Sequence, residues 1–210
     1  ADYTTEQIRN FALVGTSGSG KTTLGEAMLV DAGAIGRAGT VEAGTTVSDW
    51  DELEHQFGHS IDSSLLTLDH AGCHFNIIDA PGRGDFIGKA MSSLPAVETM
   101  VLVLDPAIGI DPVARRMMKI AKERNLPRAI VINKIDAGGD ISDFLMTIKA
   151  TFGSECCSIN LPAGNGTSII RCFQETQGES DLGNVADFHP QLVDQIVEVD
   201  EVLMEKYLEA

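Results

Sequence analysis

The stretch GTSGSGKT, residues 15–22, sets a lysine and a hydroxyl behind a run of glycines and serines. Glycines let a backbone wrap so that successive amides point inward at a phosphate. Ser17, Gly18, Ser19, Gly20, Lys21, Thr22 and Thr23 are the candidate donors. Lys21 adds a point charge for the β- and γ-phosphates of a nucleotide, and the Thr22 hydroxyl is suited to Mg²⁺. A helix beginning at Lys21 would add the partial positive charge of its N-terminus. The pattern carries this meaning only between a strand and a helix; elsewhere it is a flexible turn.

Two further stretches extend the chemistry. In DAPGRGDF, residues 79–86, an aspartate ends an apolar run and the chain turns through Pro81 and Gly82. Asp79 can hold the same metal through a coordinated water. Gly82 can bring its amide to a γ-phosphate without interference from a Cβ. In NKID, residues 133–136, the Asp136 carboxylate can accept both N1–H and N2–H of guanine, a donor pair that adenine lacks. The Lys134 stem can lie along the base, and Asn133 can bridge to the phosphate loop. Taken singly, the second stretch is a common turn and the third a tetrapeptide that chance supplies often.

The elements that must position these residues are legible from apolar patterning. Residues 11–14 read as a strand before the phosphate loop, and 21–31 as the helix after it. Residues 32–60 are rich in Gly and Thr, then acidic, and read as a long loop of the functional or disordered kind. Runs at 61–68 and 75–78 flank Asp69-His-Ala-Gly72 and predict a hairpin. A helix is expected over 86–93, and strands over 100–104 and 129–132. Asp111-Pro112 starts a helix whose inner face is Val113, Met117, Ile120 and Ala121. Asp140 starts another, ended by Gly153. Residues 190–208 read as one helix with Leu192, Ile196, Val199, Leu203 and Tyr207 on one face.

This alternation, with the phosphate loop, predicts an α/β fold of the phosphate-loop nucleoside triphosphatase type. It would have a mixed, mostly parallel sheet, helices on both faces and a small inserted α+β subdomain. The expected division is a nucleotide-binding core over 1–153 and the subdomain over 154–210.

Composition narrows the partners. The formal charge is −16, from 15 Lys+Arg against 31 Asp+Glu, a field that repels nucleic-acid backbones. No direct nucleic-acid binding by this chain is therefore expected. No apolar run is long enough for a membrane span and no secretory leader is visible. The cysteines Cys73, Cys156, Cys157 and Cys172 lack zinc-knuckle spacing and suit a reducing cytoplasm. Four of the five histidines, His55, His59, His70 and His74, are scattered over loop and hairpin positions and read as solvated rather than metal-bound.

The three motifs, in this order, resemble the GTP-binding domain of the translational GTPases, most closely elongation factor G and its bacterial paralogues. RNFALVGTSGSGKTTLGEAML, NIIDAPGRGDF, RAIVINKIDAGGD and LMEKYLEA all have counterparts in that family. The resemblance implies a GTP/GDP site with Mg²⁺, hydrolysis of GTP, and a ribosome partner reached through the full-length protein, expected to be a monomer. It implies that 32–60 is the first switch loop and that Ser60 stands where the family has its Mg²⁺-binding threonine. Phe57 and His59 depart from the family's residues around Gly58, and Gly18 replaces an aspartate common in elongation factor G. The chain ends at Ala210, before the family's last guanine-contacting loop, which reads as a piece of a longer protein.

Arg83 stands at the family's catalytic histidine. A guanidinium is a poor acceptor and cannot take a proton from water, though it can stabilise charge on a transferring phosphoryl group as arginine fingers do. A solvated surface side chain is the alternative. Lys21, Gly82 and Arg83 are thus the catalytic candidates. The readings kept beside a GTPase are a GTP-binding regulatory module with little hydrolysis and a phosphate-loop kinase or ATPase.

Overall fold

The computed structural model describes residues 3–48, 60–137, 139–199 and 201–209. The register around Phe57, Gly58 and His59, and the histidines His55 and His59, lie outside the described residues. The chain divides into two compact units, Ala1–Lys134 and Ile135–Ala210.

In the first unit, β1 (Ile8–Val14) runs into the phosphate loop and α1 (Lys21–Asp31). β2 (Ser64–His70) and β3 (Cys73–Asp79) form the expected hairpin. Its turn closes through Ala71 at φ 48° and Gly72 at φ 77°, the pair of positive φ values that suits the twist of a two-residue hairpin. A 3₁₀ turn, Gly84–Phe86, leads into α2 (Ile87–Ser93), followed by β4 (Thr99–Leu104), α3 (Pro112–Glu123) and β5 (Arg128–Ile132). The sheet order is β2-β3-β1-β4-β5. β3, β1, β4 and β5 are parallel, and β2 pairs antiparallel at the edge.

Alternation along the strands explains why both faces are covered. Leu13, Leu66, Leu68, Ile77 and Val103 gather with Leu29 of α1 in one apolar cluster. The side chains of opposite parity, Ala12, Val14, Met100, Leu102 and Leu104, are buried as well, and α3 lies against β4. The α3 start is the one its residues foretell: the Asp111 carboxylate accepts from Ala114 N at 2.8 Å, with Pro112 in the first turn. Met117, Ile120 and Ala121 face inward.

The second unit holds α4 (Ile141–Phe152), capped by Asp140 through Asp143 N, then β6 (Asn160–Ala163) paired with β7 (Ser168–Arg171). The short pair β8 (Glu179–Ser180) and β9 (Gly183–Asn184) leads to α5 (Val185–Val197) and α6 (Glu201–Leu208). Leu161, Cys172, Val185 and Leu192 form its buried centre.

The expected single helix over 190–208 is corrected here to two helices. The first starts earlier, because Asn184 caps it by accepting from Ala186 N, leaving Pro190 inside rather than at the start. Leu192 is buried and Ile196 packs against the centre, but Val199 is 86% exposed, and Leu203 and Tyr207 are exposed too. The apolar stripe therefore belongs to two elements, of which the first supplies the core.

Leu13 is fully buried where β1 meets both neighbouring strands. Leu13→Ala is expected to lower the unfolding free energy by about 2–5 kcal/mol, read from the urea midpoint at unchanged slope.

Candidate functional site

The phosphate loop leaves β1 at Gly15 and re-enters regular structure at Lys21. Gly20 caps α1 at φ 91°, and a Cβ there would strike the side-chain amide of Asn133. Only glycine meets both demands.

Lys21 is 6% exposed. Its Nζ donates to the carbonyls of Gly15 at 2.9 Å and Thr16 at 3.0 Å. Burial pushes the ammonium below its usual value, while the negative charges of Asp79 and Asp111 pull it back up. Beside it, the Thr22 hydroxyl donates to Asp79 Oδ2 at 2.6 Å. Asp79 is 1% exposed and ends β3 opposite Leu13 of β1. The parallel pairing of β3 with β1 thus places the carboxylate beside the helix that follows β1.

Past Asp79 the chain folds over the loop. Ser17 N donates to Gly82 O at 3.0 Å. A Cβ on Gly82 would lie 2.5 Å from Lys21 Nζ, 2.5 Å from Ser17 N and 2.7 Å from Gly15 O. Gly82 therefore sits directly against the donors a phosphate would use. Arg83, the next residue, is exposed at the head of the 3₁₀ turn, with its carbonyl accepting from Phe86 N.

On the other side of the loop, Asn133 Nδ2 donates to Ser19 O at 2.9 Å and Lys134 Nζ to Gly18 O at 2.7 Å. Lys134 takes φ 55°, an unusual value for a side chain with a Cβ and one that clusters at functional sites. Its ammonium also pairs with Asp105 Oδ2 at 3.0 Å. Asp136 is exposed in the 3₁₀ turn Ile135–Ala137, which opens the second unit. Thr23 is exposed on α1, and Ser60 is half-buried in irregular chain before β2.

Sequence reading overlooked Asp105 and Glu26. Asp105 comes directly after the apolar strand β4, near the end where Asp79 closes β3, but only the pairing of β4 with β5 brings Lys134 to it. It is buried, and its second oxygen accepts from Ala107 N at 2.8 Å. Glu26 announces itself only through three-dimensional burial, since a glutamate inside a helix is unremarkable in sequence.

The residues present fit a magnesium-bound polyphosphate. Thr22 and Asp79 supply adjacent hard oxygens, the donor type this metal prefers. Thr16 Oγ1 and Ser19 Oγ are buried within the loop without a hydrogen-bond partner among the described residues. Such orphaned hydroxyls await an acceptor that the folded chain does not provide.

Comparison with known proteins gives these contacts a context. Residues 6–201 match the family described as the elongation factor Tu GTP binding domain. The chain belongs to that family. It is thus a GTP-binding domain of that family, and its mixed sheet is the phosphate-loop α/β fold expected from the motifs. It is 34% identical over 215 residues to an elongation factor G-like protein of Mycobacterium tuberculosis, a match spanning 96% of this chain and 30% of that protein. Peptide chain release factor 3 of Lactobacillus delbrueckii subsp. bulgaricus is 35% identical over 190 residues, covering 87% of this chain and 35% of the factor. A crystal structure of a Thermus thermophilus protein superposes with a TM-score of 0.86 at 33% identity, covering 97% of this chain and 33% of that one. The chain thus spans about a third of the length of these relatives.

Gly82→Ala should be unable to keep the Ser17–Gly82 contact. The expected loss in the nucleotide-free chain is about 1–3 kcal/mol of unfolding free energy, measured by chemical denaturation, with a smaller loss when nucleotide is bound.

Proposed function

We propose that this chain is the Mg²⁺-dependent GTP-binding and GTP-hydrolysing domain of a translation factor that acts on the ribosome. One observation carries the reading: Lys21, the Thr22–Asp79 pair and the Gly82 backbone meet at one loop, whose other side is tied to Asn133 and Lys134. The names of the relatives, an elongation factor G-like protein and a release factor, support the ribosomal part.

In this reading the amides from Ser17 to Thr23 and the Lys21 ammonium hold the β- and γ-phosphates. Thr22, Asp79 and Ser60 are the proposed magnesium donors. The metal, when bound, neutralises charge on the phosphate oxygens. Lys21 keeps its charge against the terminal phosphate, where negative charge shifts as the bond to the β-phosphate breaks. Gly82 offers its amide there once its carbonyl gives up Ser17. Arg83, one residue on, is the proposed stabiliser of the same charge, and its guanidinium cannot accept a proton from water. Asp136 is the proposed guanine acceptor, on the pattern of residues 133–136 and its position two residues after Lys134. The proposed compartment is the cytoplasm; among the described residues no helix is long and apolar enough to cross a membrane.

Arg83 also sustains a second reading, a nucleotide switch that binds GTP and barely hydrolyses it. Two measurements separate the readings. Displacement of a fluorescent GDP analogue should favour GTP over ATP by about a hundredfold or more in the unaltered chain, and Asp136→Ala should remove most of that preference. Equal displacement by ATP defeats the guanine assignment. In single-turnover hydrolysis with ribosomes, Arg83→Ala is expected to slow the reaction by at least about tenfold. An unaltered protein no faster than buffer leaves only the switch.

A further inference from the structure

Glu26 lies one helical turn beyond Thr22 on α1, so the two side chains share a face. It is 1% exposed, a burial that a carboxylate tolerates only with compensating donors. Both oxygens have one. Oε2 accepts from Gly39 N at 2.7 Å and Oε1 from Val47 N at 2.6 Å.

Between those amides the chain closes on itself. Thr45 N donates to Thr40 O at 3.2 Å, and Thr40 N to Thr45 Oγ1 at 3.0 Å. A Cβ on Gly39 would collide with the Thr45 carbonyl oxygen. One residue beyond Val47, Ser48 O accepts from Ser64 Oγ at 2.8 Å. Ser64 stands opposite Asp79 in the β2–β3 register. Residues 39–47 are therefore fastened near both ends to the helix that carries Thr22, and Ser48 is fastened to the strand pair that carries Asp79.

We propose that Glu26 is a positioning residue for the triphosphate state, holding residues 39–47 against the Thr22 helix, while Ser48 joins the segment to the strand pair that ends at Asp79. The inference rests on the GTP-site reading and adds to it a residue that touches neither nucleotide nor metal. Ordering a free segment costs conformational entropy, and Glu26 removes that cost before the ligand arrives. A ligand gains from such placement only through contacts that depend on it. In the GTP-site reading the terminal phosphate would add contacts on the Thr22–Asp79 side of the site, whereas a diphosphate would be held chiefly by the loop amides. Glu26 thus raises affinity for GTP more than for GDP. A brace of purely structural value would raise both alike.

Three variants test this. Glu26→Ala removes both acceptors. Glu26→Gln keeps one oxygen and turns an NH₂ toward the other amide. Val47→Pro deletes one donor from a half-exposed residue while leaving α1 intact, and it carries the test if the buried substitutions fail to fold. Dissociation constants are measured for GDP and for a non-hydrolysable GTP analogue, with Mg²⁺ and with chelator. The expected result is a fall of about fivefold or more in the triphosphate-to-diphosphate affinity ratio in Mg²⁺, smallest for Val47→Pro. An unchanged ratio, whether both affinities fall together or neither moves, overturns the inference while the GTP site stands. Failure of the unaltered chain to bind either nucleotide removes the GTP-site reading, and the inference with it.

Discussion

A lysine ammonium shut inside a loop of backbone is the constraint on which the site depends. Lys21 has left water, and an isolated buried charge would neutralise or open the structure. The carbonyls of Gly15 and Thr16 satisfy it instead, with the charge of Asp79 nearby. That arrangement demands that the loop curl inward, and the curl requires glycine where the Asn133 amide presses on the helix start. Carbonyls are weaker partners for an ammonium than phosphate oxygens are. The loop is therefore held in shape by a buried charge that a phosphate would satisfy better.

Sheet topology then assembles the rest. β1, β3, β4 and β5 are parallel, so their carboxyl ends share one edge, the edge where open α/β sheets bind ligands. Gly15, Asp79, Asp105 and Asn133 each follow the last residue of one of these strands or stand at its end. The net charge of −16 does not forbid an anionic ligand here. Charges beyond about 8 Å are largely screened at physiological salt, while the loop amides and Lys21 act at contact distance.

Much of this was legible in the residues, for local reasons. Asp111 and Asp140 are helix caps whose side chains name their own partners, and β1, β3 and β4 are apolar runs with clear ends. The phosphate loop and the Asp79 turn are short motifs whose meaning follows from their neighbours. What escaped was nonlocal. Pro190 is a permitted helix start, but Asn184 with its side-chain bond to Ala186 N was the stronger one, and that competition is decided by packing around Val185. Glu26 owes its importance to amides many residues away. Asp105 became visible as a partner only when β4 and β5 lay side by side and brought Lys134 to it.

Sensing and chemistry are assigned to different parts of the Asp79–Phe86 turn. The contact with the phosphate loop is made by the Gly82 backbone, which any change at the next side chain leaves in place. The chemistry of the proposed reaction falls to the side chain at 83, which is exposed. On the proposed reading, a guanidinium at that position would alter how fast the γ-phosphate is lost while leaving the Gly82 backbone contact in place. With Gly82 excluded from carrying any side chain by Lys21, Ser17 and Gly15, the proposed recognition falls on the sterically constrained half of the turn and the proposed chemistry on the exposed one.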